Sequence, residues 1–489
     1  LTVSSESLLL SVGRYLLRKL TFPVAIVAIL AGIYLSLSGK ERYAVYVNFF
    51  EKTPPTLEQI SIPPGVGLAG GVVKLRLEDT GTGLDEVIIR SDQDGEIKEL
   101  LRKRYSTPQF SDLITVEIPG REGGLLEGMF DLNIAIFDRA FWSNAYRAEI
   151  PLQVSFVKPK LEVLSVQHNA VVGGAELCFY RISDLEGGVS GVSVGDLEFK
   201  GYPARLLDAA FEAAPDIHFA FFAIPLQYQR TVDKVRSFAR NRVGNQTLAP
   251  FYYKARPVKS SRRYREVSEA FLVGKLSELA DRARFVDLGI DVDPAKRFNV
   301  VFSSLRKQNE RAIRKILLDS GATRSNWEGA FLRPQGASLR VDFGEIRDYR
   351  LGETVLGSII YTGAEYSAPL RLPVLAAAPG KVIFAGELPL YGKSVILDHG
   401  FGLSSLYGFL DSIRAEPEAD LPVGAEIGRV GMSGFQDSPG ILFEMRIGGV
   451  PVRPIEWWDA RWVREHITNK INEIKKQFNL LPSEAVADE

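Results

Sequence analysis

The sequence predicts a mainly β, multidomain protein, and three observations carry that prediction. Strand-length alternations of apolar and polar residues recur from about residue 60 to 257 and again from about 331 to 458. The chain has 44 glycines and 26 prolines in 489 residues, and many stand between those alternations as turn residues. Helical periodicity is confined to a middle segment and the C-terminal tail, apart from one uncharged stretch near the N-terminus.

A chain this long exceeds one ordinary domain. Its formal net charge of −1 offers no global signature of nucleic-acid binding. The single cysteine, Cys178, excludes an intramolecular disulfide and a cysteine-based zinc site. Within Leu177-Cys-Phe-Tyr180 it reads as a small buried hydrophobe.

The elements follow in order. Leu20 to Leu37 carries no charge over about 18 residues, long enough to cross a bilayer as a helix. Arg14, Arg18 and Lys19 precede it, which favours a cytoplasmic N-terminus. No small-x-small cleavage site closes it, so residues 1–45 are expected to be a cytoplasmic stub and an uncleaved transmembrane anchor. Residues 46–157 hold alternations such as Val72 to Leu77 and Phe130 to Phe137, with turns at Asp79 to Gly83 and Asp92 to Gly95. Residues 158–258 repeat the pattern, for example in Lys160 to Val166 and His218 to Ile224. Two tandem immunoglobulin-like modules are expected.

Six basic residues lie between Lys254 and Arg265; they suit either a solvated linker or contact with an anionic surface. Residues 259–325 are expected to be helical, with helices over Val267–Leu288 and Phe298–Ser320 broken at Asp293-Pro294. In the tail, residues 462–489, Val463, Ile467, Ile471, Ile474 and Phe478 mark an amphipathic helix, with Lys470 among its polar positions. That helix would pack on its own domain or dock to a partner.

The remaining stretch, residues 326–461, carries the functional reading. Phe343-Gly-Glu-Ile-Arg347, Tyr361-Thr-Gly-Ala-Glu-Tyr366, Asp398-His-Gly-Phe-Gly402, Tyr407-Gly-Phe-Leu410 and Leu442-Phe-Glu444 occur in an order that resembles the lysostaphin-type (LytM) peptidoglycan endopeptidase family. The resemblance implies an antiparallel β domain in which two histidines and an aspartate hold zinc, leaving an open position for an activated water. Two further histidines would move protons and stabilise the oxyanion.

Carried over residue by residue, the ligand positions are Tyr361, Glu365 and Leu442, and the two flanking histidine positions are Phe409 and Gly440. All four imidazoles are replaced, while the glycines and Phe443-Glu444 remain. The four histidines of the chain, His168, His218, His399 and His466, all lie elsewhere in the pattern. The resemblance therefore implies a non-catalytic member that needs no metal or cofactor. Tyr361, Glu365, Tyr366, Phe409, Leu442 and Arg347 are candidate groove residues, either filling a dry site or binding a peptide or partner helix. By the same resemblance the expected role is a scaffold or regulator of peptidoglycan hydrolases, of the amidase-activating type. The alternative is a peptidoglycan-binding or structural subunit of an envelope assembly. The anchor would then lie in the inner membrane as a single pass, with the bulk of the chain in the periplasm.

Overall fold

The computed structural model describes residues 34–228, 235–282, 293–320 and 327–481, together with residues 27 and 30–32. The chain divides into two compact units, residues 1–157 with 243–245, and residues 158–242 with 246–489.

In the first unit the period-2 pattern builds two sheets around one core. Strands Thr56–Ser61, Gly71–Glu78 and Ser111–Ile118 form one sheet. The other runs in the order Gly65–Val66, Ala145–Val154, Gly128–Asp138, Leu84–Gln93, Glu96–Gln109. In Gly71–Glu78, Val73, Leu75 and Leu77 are buried while Lys74, Arg76 and Glu78 face water, as alternation requires of a half-buried strand. Helix α1, Gly39–Phe50, starts at Ser38: its hydroxyl accepts from the Glu41 N–H, and the Glu41 carboxylate accepts from the Ser38 N–H.

This helix corrects the expected anchor. Among the described residues, no helix is long and apolar enough to cross a membrane. A span needs about 20 predominantly apolar residues in one helix, whereas α1 has 12 and carries Lys40, Glu41 and Arg42 at its start. Leu20–Leu37 falls largely outside the described residues. The transmembrane helix, the membrane as a partner and the single-pass inner-membrane placement are therefore withdrawn.

The second unit opens with two four-stranded sheets. One is ordered Tyr202–Pro203, Ile217–Ala223, Ala175–Ser183, Lys160–Val163, and the other Leu197–Lys200, Val189–Val194, Val235–Arg240, Gln246–Pro250. Cys178 is fully buried there, and burial pushes its thiol up to about 12. The end of the basic run is tied into the sheet, while Lys254, Arg256, Lys259, Arg262 and Arg263 stay exposed. Arg262–Glu266 is a strand pairing in parallel with Ile346–Leu351. Arg262 grips Asp348 through two hydrogen bonds of 2.8 Å, and Arg265 pairs with Asp437. Helices α2, Glu269–Arg282, and α3, Pro294–Ser320, follow.

The C-terminal sheet is antiparallel, ordered Ser338–Val341, Ala364–Ser367, Gly440–Ile447, Leu403–Ile413, Gly392–Gly400, Gly380–Leu388, Asp420–Leu421. After it come α4, Pro454–Trp458, and α5, Ala460–Val463; a π-helical turn at Arg464–Thr468 then leads into α6, Asn469–Gln477. The tail reaches the preceding β module: Lys475 binds Asp208 at 2.7 Å, and the Arg181 guanidinium lies over the Phe478 ring. Lys470, expected on the polar face, is buried against Glu176.

Candidate functional site

Strand register assembles the groove. Glu365 pairs with Leu442 across Ala364–Ser367 and Gly440–Ile447, and Leu442 pairs on its other side with Gly408. Phe409 follows with φ of 67°, a left-handed value uncommon for a bulky residue, and its N–H donates to the Tyr391 carbonyl at 2.7 Å. The bulge near Leu410 turns its ring into the groove. Tyr361, Glu365, Phe409 and Leu442 line one cavity of about 40 Å³. Tyr366 does not; its ring packs against Trp458, 6.0 Å away. Arg347 also stays outside, donating to Glu345 and to the Arg340 carbonyl, each at 2.7 Å.

The groove is closed by the chain itself. On α3, Phe298, Val301, Leu305 and Ile313 recur at helical spacing and are buried in the same cluster as Phe409, Leu442 and Tyr391. Phe298 meets the Tyr349 ring at 5.3 Å, and Phe302 meets Phe435 edge-on at 5.4 Å. Polar ties fix the register: Asn299 donates to the Leu356 carbonyl at 2.6 Å and Arg306 to that of Ile360 at 2.7 Å. Deepest is Arg446, 1% exposed, bound to Glu444 at 2.6 Å and to both oxygens of Glu310 on α3 at 2.8 and 2.9 Å. Burial alone would raise the Glu310 carboxyl; the Arg446 guanidinium outweighs it and holds that carboxyl below its ordinary value.

These residues do not fit zinc. Leu442 is a hydrocarbon. The Tyr361 hydroxyl is committed to Tyr349 at 2.6 Å, and burial, with Tyr349 and Glu365 beside it, keeps it protonated far above its usual range. Burial also raises Glu365, which the Gln436 amide at 2.9 Å and Arg340 at 3.2 Å already occupy. One such carboxylate is not the closed set of nitrogen and oxygen donors that zinc requires. Gly440 is sterically blocked as well: a Cβ there would stand 2.6 Å from the Tyr366 carbonyl oxygen. None of the four histidines lines this groove. His399 is buried on the other side of the hairpin, bound to the Pro379 carbonyl at 2.7 Å and Ser405 Oγ at 2.8 Å, and burial lowers it to about 4. Among the described residues, the only cluster with metal-ligand spacing is Glu51, Asp79 and Asp138, in the first unit and without a histidine.

Sequence reasoning missed the Glu444–Arg446–Glu310 lock. Its signal was present, since Glu444 and Arg446 stand two apart on an otherwise buried strand and so share a face.

Fold and groove together define a class: a zinc-peptidase-like β domain whose groove, among the described residues, lacks a histidine-based zinc site. Residues 360–454 match Peptidase family M23. Over 96 residues the chain is 36% identical to the DD-carboxypeptidase/endopeptidase Mpg of Neisseria meningitidis, covering 20% of this chain and 22% of that one. Over 109 residues it is 37% identical to the murein hydrolase activator EnvC of Escherichia coli, covering 22% and 26%. A solved structure of a putative peptidase M23 from Pseudomonas aeruginosa aligns with a TM-score of 0.32 at 18% identity, over 59% of this chain and 95% of that chain. The chain thus spans only 22% and 26% of the length of these two curated relatives.

Proposed function

We propose that the C-terminal domain is a non-catalytic binding module that regulates peptidoglycan hydrolases, of the kind that activates cell-wall amidases. One observation carries this reading. The sheet and turns of a peptidase are kept, while the ligand positions hold Tyr361, Glu365 and Leu442 and the groove is roofed by apolar side chains of α3. Similarity to a murein hydrolase activator supports it. The groove lies on the face of that sheet covered by α3, so a partner's peptide or helix would dock there after α3 lifts. The buried amide of Asn309 on α3, which has no hydrogen-bond partner among the described residues, makes the roofed state less favourable than a fully apolar interface would be.

The test uses dye-labelled cell-wall sacculi and a purified zinc-dependent amidase. The full chain alone is expected to release no dye. With the amidase it should increase release, and Glu310→Ala, which loosens α3, should increase it further. Release by the chain alone, or an amidase indifferent to both forms, overturns the proposal.

A further inference from the structure

Where α3 runs past the groove, a second cavity of about 200 Å³ opens beneath its C-terminal half. We propose that it is a binding site for a small amine of amino-acid size, separate from the groove.

The floor is set by register. Asp398 and Ser404 are cross-strand partners in the hairpin Gly392–Gly400 and Leu403–Ile413, so their side chains share the face toward α3, opposite to His399 and Ser405. Ser404 is 1% exposed and its Oγ has no hydrogen-bond partner among the described residues. A buried hydroxyl lining a cavity without a partner costs free energy unless a guest satisfies it.

The walls are aromatic: Phe199, Tyr202 and Phe221 from the β module and Phe401 from the hairpin turn, all buried. Phe401 holds φ of 54° between two left-handed glycines, and its ring is clamped edge-on by Tyr202 at 5.2 Å and Phe219 at 4.9 Å. The mouth is formed by Arg314 on α3, Lys200 and Glu198.

These groups select a chemistry. An ammonium brings three N–H donors for the Asp398 carboxylate and Ser404 Oγ, and aromatic faces attract it. A guanidinium at the mouth suits a carboxylate at the other end of the guest. An engineered cavity of about 150 Å³ holds benzene, so this one accommodates about ten non-hydrogen atoms. A sugar of similar size would satisfy the floor but would leave the basic mouth unused.

The probe is L-lysine, titrated calorimetrically into the purified full chain, with D-glucose as the competing class. Saturable one-to-one binding of L-lysine is expected with Kd of about 1 mM or tighter. Asp398→Asn keeps an acceptor for the Gly400 N–H, which Asp398 binds at 2.8 Å, and should weaken binding about tenfold. Arg314→Ala, on the exposed side of α3, should weaken it severalfold and remains readable even if Asp398→Asn proves unstable. No saturable heat up to about 10 mM L-lysine, binding unchanged in both variants, or binding of D-glucose alone would each overturn the proposal.

Discussion

Helix α3 meets one sheet face twice and treats it in opposite ways. Over the groove its first turns insert Phe298 and Phe302, and Glu310 completes the ion pair of the buried Arg446, leaving a space of about 40 Å³. One turn further on, Arg314 and Leu317 border a cavity of about 200 Å³ whose floor hydroxyl, Ser404 Oγ, has no hydrogen-bond partner among the described residues. The same helix packed on the same strands therefore does not fill space indiscriminately. Closure is tightest where Tyr361, Phe409 and Leu442 line the groove.

The sharpest way to break this contrast is Arg446→Ala. It strands the buried Glu444 carboxylate, and the partly exposed Glu310, without their cation, a loss of about 3 kcal/mol. Urea unfolding of the full chain should show the transition of the second unit moving to much lower denaturant. A change under about 1 kcal/mol would mean that water reaches the pair and that the roof is looser than its packing indicates. Phe298→Ala comes next, at about 3 kcal/mol for an aromatic lost from a filled core. Leu318→Ala, exposed beside the open cavity, should leave the midpoint within about 0.5 kcal/mol.

How far this was legible in the sequence follows from the range of each interaction. Alternation in Gly71–Glu78 and the order of turns around Asp398 to Gly402 are local, so strands, glycine framework and vanished imidazoles could be read directly. The apolar stripe Val301, Leu305, Ile313 revealed a helix but not the surface it covers, because that surface lies 78 residues or more away in Tyr391 and Leu442. Lys470 was placed on a polar face by periodicity; its partner Glu176 is 294 residues distant. The charge-free run at Leu20–Leu37 satisfies the hydropathy of a span, yet the described chain offers only the short, charged α1 after it.

A third place extends the comparison to protons. Glu456 on α4 is buried like Glu444, but in place of a guanidinium it accepts the Ala175 N–H at 2.8 Å. Burial pushes its carboxyl up to about 8, from an ordinary value of 4.5. Between those values the folded chain keeps a proton that the unfolded chain releases, so stability falls as pH rises through that window. Glu456→Gln keeps an acceptor and removes the titration. Melting at pH 9 should favour the variant by about 1–3 kcal/mol, and the two forms should converge near pH 4. A constant difference across that range would show that shape rather than charge is responsible.

The smallest expected effect bears most directly on the contrast. Arg314→Ala removes a long side chain from the exposed side of α3 above the open cavity. Among the described residues nothing in the packed roof depends on it, so thermal unfolding without added ligand should change by no more than about 0.5 kcal/mol. Added L-lysine stabilises whichever form binds it, in proportion to the logarithm of its concentration over Kd. The wild-type midpoint should therefore rise with L-lysine and the variant's should rise less. If Arg314→Ala destabilises the bare chain as Phe298→Ala does, the C-terminal half of α3 is as tightly packed as its N-terminal half, and the two regions differ only in volume.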